Sequence, residues 1–168
     1  PTSRLRARQL LGLPEKGRYA LFVSNPKRPE KQYELADRAL ATVRSHGHDV
    51  EPLVVFNKPH EDLPTYMNAA DLLLLTSSRE GSPNAIKEAM ACNLPIVSTD
   101  VGDVRQVVGD TTNCVLADAS HEDIANGIER VLDASHRTNG RESIQSLSSV
   151  AVGSRVLEIY ESILEGRS

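Results

Sequence analysis

Apolar residues in this chain gather into two alternating kinds of run. Short blocks that are apolar at nearly every position have strand length and no polar alternation: Tyr19–Val23, Val50–Phe56, Leu72–Thr76, Pro95–Ser98 and Asn113–Leu116. Between them, apolar residues recur at helical spacing. Ala36, Ala39, Leu40 and Val43 do so between Pro29 and Ser45, and Ile124, Ile128, Val131 and Leu132 do so after Ser120. Shorter helices are expected at Arg4–Leu11, closed by Gly12 and Pro14, at Asp62–Ala70 with Pro64 in its first turn, and at Val104–Val108. Pro83–Ala91 has the fullest set of boundary signals: Ser82 as N-cap, Pro83 at the first helical position, Asn93 as a left-handed cap and Pro95 barring continuation. Helices over Arg141–Leu147 and Val150–Leu164 close the chain, the second with Val152, Val156, Ile159 and Ile163 aligned.

Doubly apolar strands alternating with helices predict a parallel sheet covered on both faces. The expected fold is a single α/β, doubly wound, Rossmann-like domain over residues 1–168. That length suits one domain with a proper core and is short for two. Composition then removes partners. A formal net charge of -4 argues against general affinity for nucleic acid or an anionic membrane surface. Cys92 and Cys114 are the only cysteines, with no Cys or His at metal-ligand spacing, and read as structural thiols in a reducing compartment. No apolar run approaches the roughly 20 residues that span a bilayer, so a cytoplasmic location is expected. The chain opens on PTSRLRARQLLGLPEKG without an initiator Met, which reads as a domain cut from something larger.

Open parallel sheets bind ligands at the carboxyl ends of their strands, and two loops there carry chemistry. After Val23, SNPKRPEK brings Lys27, Arg28 and Lys31 together before a helix, an arrangement suited to phosphate or diphosphate; solvated charges at a helix start are the plainer alternative. The second loop is SSREGSPNAIKEAMACNLP, Ser77–Pro95. Pro83 has no N–H, but the amides of Asn84 and Ala85 stay free in the first turn, and Gly81 lets the backbone pass close to a ligand. At about 100° per residue, Ile86, Ala89 and Met90 share one face while Asn84, Glu88 and Ala91 fall opposite. Glu80 at the strand exit and Glu88 on the helix can accept hydrogen bonds from a polyhydroxylated ligand. Alone, a solvated Glu on a polar helix face is the default explanation of Glu88.

The stretch TSSREGSPNAIKEAMACNLPIVSTDVGDVRQVV resembles the signature of the group 1 (family 4) retaining glycosyltransferases of the GT-B fold. That signature is a serine-ended strand, Glu-Gly, six residues, Glu-Ala-Met-Ala, a capping residue, Leu-Pro-Val-Val and a Gly-containing turn. The resemblance runs from Tyr19 to about Leu132. It implies the C-terminal, donor-binding half of a two-domain enzyme, whose acceptor-binding N-terminal domain lies outside this chain. Glu80, Lys31 and Arg28 are then the implied catalytic set: Glu80 on donor-sugar hydroxyls, Lys31 on the diphosphate, and Arg28 standing in for the family arginine. Glu88 is implied to hold the ribose, and Ser24, Asn25, Gly81, Ser82, Pro83, Asn84 and Ala85 to line the sugar and diphosphate. A base is expected near Phe56 and Asn57.

The implied donor is a UDP-, GDP- or ADP-sugar, used without metal or cofactor for retaining transfer to a saccharide or glycoconjugate. Peripheral membrane contact would come through the other domain, at the inner face. The chain departs from the family pattern at Ser24-Asn25 in place of Gly-Arg, at Gly81-Ser82-Pro83 in place of Gly-Phe-Gly, at Gln106 in place of an acid, and in a short span before Asp71. Two rival readings are a non-catalytic nucleotide-binding module and a GT-B sugar-nucleotide epimerase, the latter lacking the Glu-Gly to Glu-Ala-Met pattern.

Overall fold

The computed structural model describes residues 2–166; Pro1, Arg167 and Ser168, the ends of the expected 1–168 domain, lie outside the described residues. Five strands form where the chain is apolar on both faces: β1 (Tyr19–Val23), β2 (Glu51–Val55), β3 (Leu72–Leu75), β4 (Ile96–Thr99) and β5 (Cys114–Ala117). They make one fully parallel sheet in the order β2-β1-β3-β4-β5. Central β3 and β4 are buried throughout, whereas β2 and β5 are part-exposed edges. Pro52 fits β2 for this reason, because an edge strand can spare one ladder donor.

Alternation along the strands divides the core in two. Ala20, Phe22, Leu72, Leu74 and Val97 face α2 (Tyr33–Ser45) and α6 (His121–Ala134). Tyr19, Leu21, Leu73, Leu75 and Ile96 face the other layer: α1 (Arg4–Leu11), α3 (Leu63–Ala69), α4 (Asn84–Ala91) and α5 (Val104–Val108). The expected doubly wound α/β domain is therefore the fold observed. Strand order reverses direction between β1 and β3, which is where such sheets open a crevice. The ladder between these strands is short, pairing only Ala20 with Leu72 and Leu21 with Leu73, while β1 and β2 pair along all five residues. Past Leu21 and Leu73 the two strands part, and the gap between them is the candidate site.

Besides one-residue shifts at the ends of α3 and of the closing helix, three expected helices differ from those observed. The segment Pro29–Ser45 is not continuous: a 3-10 turn covers Pro29–Lys31, Gln32 takes a left-handed conformation at φ 47°, and α2 starts at Tyr33. The cause is tertiary. The Thr76 hydroxyl lies 3.0 Å from both the Lys31 and Gln32 carbonyls, and the Ser78 amide donates to the Glu30 carbonyl at 2.9 Å. The exit of β3 thus pins this turn, and Gln32 occupies the position where a glycine would be unstrained. Second, α4 begins one residue later than expected. Pro83 is its N-cap, and the Ser82 hydroxyl bonds Asp103 and Lys87 rather than the helix amides. Third, Arg141–Leu147 breaks into α7 (Gly140–Ser143) and a 3-10 turn over Gln145–Leu147, a polar stretch that offers no continuous apolar face. Asn93 does adopt the expected left-handed cap, at φ 53°, with the Leu94 amide returning to the Ala89 carbonyl at 2.8 Å.

The last helix, α8 (Ser149–Glu165), forms as expected, capped by the Ser148 hydroxyl. Its stripe of Val152, Val156, Ile159 and Ile163 is nonetheless 45–52% exposed.

Candidate functional site

The wedge between the carboxyl ends of β1 and β3 is a cavity of about 280 Å³. Its floor is aliphatic, from Val23 and Leu73 to Leu75, and its rim is polar. Lys31, Ser24, Glu80, Pro83, Asn84, Ala85 and Glu88 all line it, so one turn after β1 and one loop after β3 converge across 49 or more residues of sequence.

At one side, Lys31 Nζ lies 2.5 Å from Oε1 of Glu80, and the Ser77 hydroxyl donates to the same oxygen at 2.6 Å. Both side chains of the pair are less than 20% exposed, which screens it little and holds it in one geometry. Two ammonium protons and Oε2 of Glu80 remain for a ligand. At the middle, α4 points its amino end into the cleft. The amides of Asn84 and Ala85 have no hydrogen-bond partner among the described residues, as expected for a first turn without a side-chain cap. At the far side stands Glu88, on the face opposite buried Ile86, Ala89 and Met90. Its Oε1 lies 2.7 Å from Nε2 of His60, which also lines the cleft.

Other expected site residues stay outside the lining. Arg28 is exposed and spends its guanidinium on Glu30, whose carboxyl is held below its ordinary range by a backbone hydrogen bond and by Arg28. Lys27 is exposed too, so the three cations of the first loop do not meet. Asn25 accepts the Lys27 amide at 2.9 Å, closing the turn. Gly81 and Ser82 support the rim from behind: the Asp103 amide donates to the Gly81 carbonyl at 3.0 Å, and the Ser82 hydroxyl bonds the Asp103 carboxylate. Phe56, 43% exposed, and Asn57 do not line the cavity.

Three participants in the site were not among the expected site residues. His60 is a lone histidine 28 residues from Glu88 and meets it only in the fold. Ser77 reads as the polar end of a strand. Gly102 is part of the expected turn, but its need for glycine is visible only in space: at φ +59° an added Cβ would sit 2.1 Å from the Gly81 carbonyl oxygen.

A larger cavity, about 770 Å³, opens at the opposite, amino ends of the strands. Its guanidinium groups are already committed. Arg8 donates to the Ala69 carbonyl and to Asp71, and Arg137 to the Met67 and Asn68 carbonyls, so together they close the end of α3. Burial pushes the Arg137 pKa down, followed by repulsion from Arg4. The same physics acts on the thiols: burial raises both, Cys114 to about 11.

With the geometry in place, the model of the family "Glycosyl transferases group 1" matches residues 17–134. The chain belongs to that family. The match spans β1 through α6 and so takes in every cleft residue of this group 1 glycosyl transferase. Among curated relatives, the D-inositol 3-phosphate glycosyltransferase of Xylanimonas cellulosilytica is 35% identical over 115 residues, 67% of this chain and 26% of that protein. Sucrose-phosphate synthase of Thermosynechococcus elongatus superposes with a TM-score of 0.80 at 25% identity, over 95% of this chain and 49% of that one. The Anabaena protein HepE, solved in complex with UDP-glucose, has a TM-score of 0.75 at 22% identity, over 96% of this chain and 53% of that one. The fold is thus that of a GT-B glycosyltransferase domain. The chain spans between 14% and 40% of the length of the curated relatives it matches.

Proposed function

We infer that this chain is the donor-binding domain of a retaining glycosyltransferase, taking a nucleoside diphosphate sugar and serving transfer to a saccharide or glycoconjugate acceptor. One observation carries the reading: Lys31 with Glu80, the free amides of α4 and then Glu88 line a single cleft in that order. The order matches the parts of the ligand. The sugar lies by Glu80, the diphosphate by Lys31 and the Asn84 and Ala85 amides, and the ribose by Glu88.

As the bond from the anomeric carbon to phosphate breaks, the nucleoside diphosphate leaves with the electron pair. Negative charge then develops where an ammonium and a helix amino end already point. That provision of fixed charge supports a transfer without metal. Glu80 keeps Lys31 in place before the donor arrives, and its Oε2 is the acceptor for a sugar hydroxyl. Of the expected catalytic set, Arg28 acts only if its turn re-forms around the donor, since its guanidinium here faces Glu30.

The exposed stripe on α8 supports a further part of the reading, that the domain works against a second, acceptor-binding domain. On its own this chain binds nucleotide weakly and transfers nothing. Titration calorimetry against UDP, GDP and ADP, with the wild type and Glu88→Gln, tests the donor assignment. Binding of one nucleotide, weakened by Glu88→Gln, is the expected result. No binding of any, or unchanged affinity in the variant, removes the ribose assignment, and measurable transfer by the chain alone contradicts its dependence on another domain.

A further inference from the structure

Glu88 does not stand alone at the far side of the cleft. His60 opens the 3-10 turn His60–Asp62 that follows β2, and its Nε2 lies 2.7 Å from Oε1 of Glu88. An ionised carboxylate only accepts, so Nε2 carries the proton in this bond. Oε1 is thereby occupied and Oε2 has no hydrogen-bond partner among the described residues. Lys87, the neighbour on α4, donates to Ser82; Lys31 and Glu80 pair with each other across the cleft; and Lys58, Glu61 and Asp62 lie along the loop that carries His60. His60 is the one side chain among the described residues that bonds Glu88.

A carboxylate on a helix surface rotates freely about its last bond, and either oxygen can meet a hydroxyl. The bond to His60 removes that freedom. We propose that His60 is a positioning residue for the nucleoside: by holding Oε1 it aims Oε2 of Glu88 at the ribose hydroxyls, so the turn after β2 contributes to donor affinity through α4. This rests on the reading that Glu88 takes the ribose. Because the histidine is 82% exposed, the bond is solvent-screened and its effect is moderate, about three- to fivefold in affinity.

The test is calorimetry with UDP, GDP and ADP and with their 2′,3′-dideoxy forms, on the wild type, His60→Ala, His60→Gln and Glu88→Gln. His60→Ala is expected to weaken binding of the ribonucleotide about three- to fivefold. His60→Gln, whose amide donor occupies the place of Nε2, should restore it to within about twofold, and the penalty should vanish with the dideoxy form. Melting curves should be unchanged, since the replaced ring is exposed. If Glu88→Gln weakens binding but His60→Ala does not, the positioning role fails while the ribose reading stands. Equal losses with ribo- and dideoxynucleotide also overturn it, because the ring would then touch another part of the ligand. If no nucleotide binds, or Glu88→Gln changes nothing, both fall together.

Discussion

Two glycines of the rim, 21 residues apart, look interchangeable in sequence and are expected to behave oppositely. Gly102 sits at φ +59°, and a Cβ built there would lie 2.1 Å from the Gly81 oxygen, 2.8 Å from the Gly81 carbon and 2.9 Å from the Glu80 oxygen. All three are backbone atoms, so no rotamer change relieves the contact. Gly102→Ala therefore incurs left-handed strain of about 1–2 kcal/mol. It also pushes the 80–82 turn outward, costing about 1 kcal/mol for the bond from the Asp103 amide to the Gly81 carbonyl. A total of about 2–3 kcal/mol lowers the melting temperature of a domain of this size by about 4–12 °C. Gly81→Ala meets nothing within 4 Å and has no left-handed φ, so its stability should stay within about 0.5 kcal/mol of wild type. Thermal denaturation of the two variants side by side is the assay, with nucleotide calorimetry below the melting point as a second readout. Displacing Glu80 by an ångström in Gly102→Ala should weaken donor binding even where the fold survives. If Gly102→Ala melts within about 2 °C of wild type, near the effect of under 1 kcal/mol, the interlocked turns do not position the rim and the reasoning fails.

Gln32→Gly should raise the unfolding free energy obtained from urea denaturation by about 1 kcal/mol, since it relieves a left-handed glutamine whose Oε1 is buried without a partner among the described residues; a lower midpoint would refute the strain. Asp71→Asn should cost about 3 kcal/mol in the same assay, because one carboxylate serves Arg4, the buried Arg8 and the Tyr19 amide; a loss below about 1 kcal/mol would mean the cluster is not structural. Burial raises the Cys114 thiol from 9.0 to about 11, so the folded state keeps a proton that the unfolded state loses. Its contribution is full below about pH 9 and is lost as pH rises towards about 11, and a Cys114→Ala variant should show a shallower fall in stability over that window.

Strand positions were legible because their burial is local: a run such as Leu72–Leu75 is apolar on both faces whatever surrounds it. The α4 face was legible too, since one turn of helix fixes which of Ile86, Glu88 and Met90 look inward. What could not be read was anything set by contacts between distant loops. Helical spacing extends smoothly through Gln32, yet Thr76 and Ser78, more than 40 residues away, hold its turn out of the helix. Arg28 and Lys31 are three residues apart and equally cationic, and only the carboxylates they meet, Glu30 and Glu80, send one to solvent and one into the cleft. His60 belonged to no pattern at all.

The early end of the β1–β3 ladder has a consequence for any mutational survey of the site. Beyond Leu21 and Leu73 the edges of the wedge are peptide groups of Phe22 to Ser24 and Leu74 to Thr76, released from pairing with one another. The side chains of Phe22 and Leu74 point into one core layer and those of Val23 and Leu75 into the other, not sideways into the gap. Replacing them alters packing and leaves the lateral donors and acceptors intact. Alanine scanning at Phe22 and Leu74 will therefore register this wall as stability alone. Its chemistry answers instead to changes in the amide bond itself, such as ester-for-amide replacement by semisynthesis.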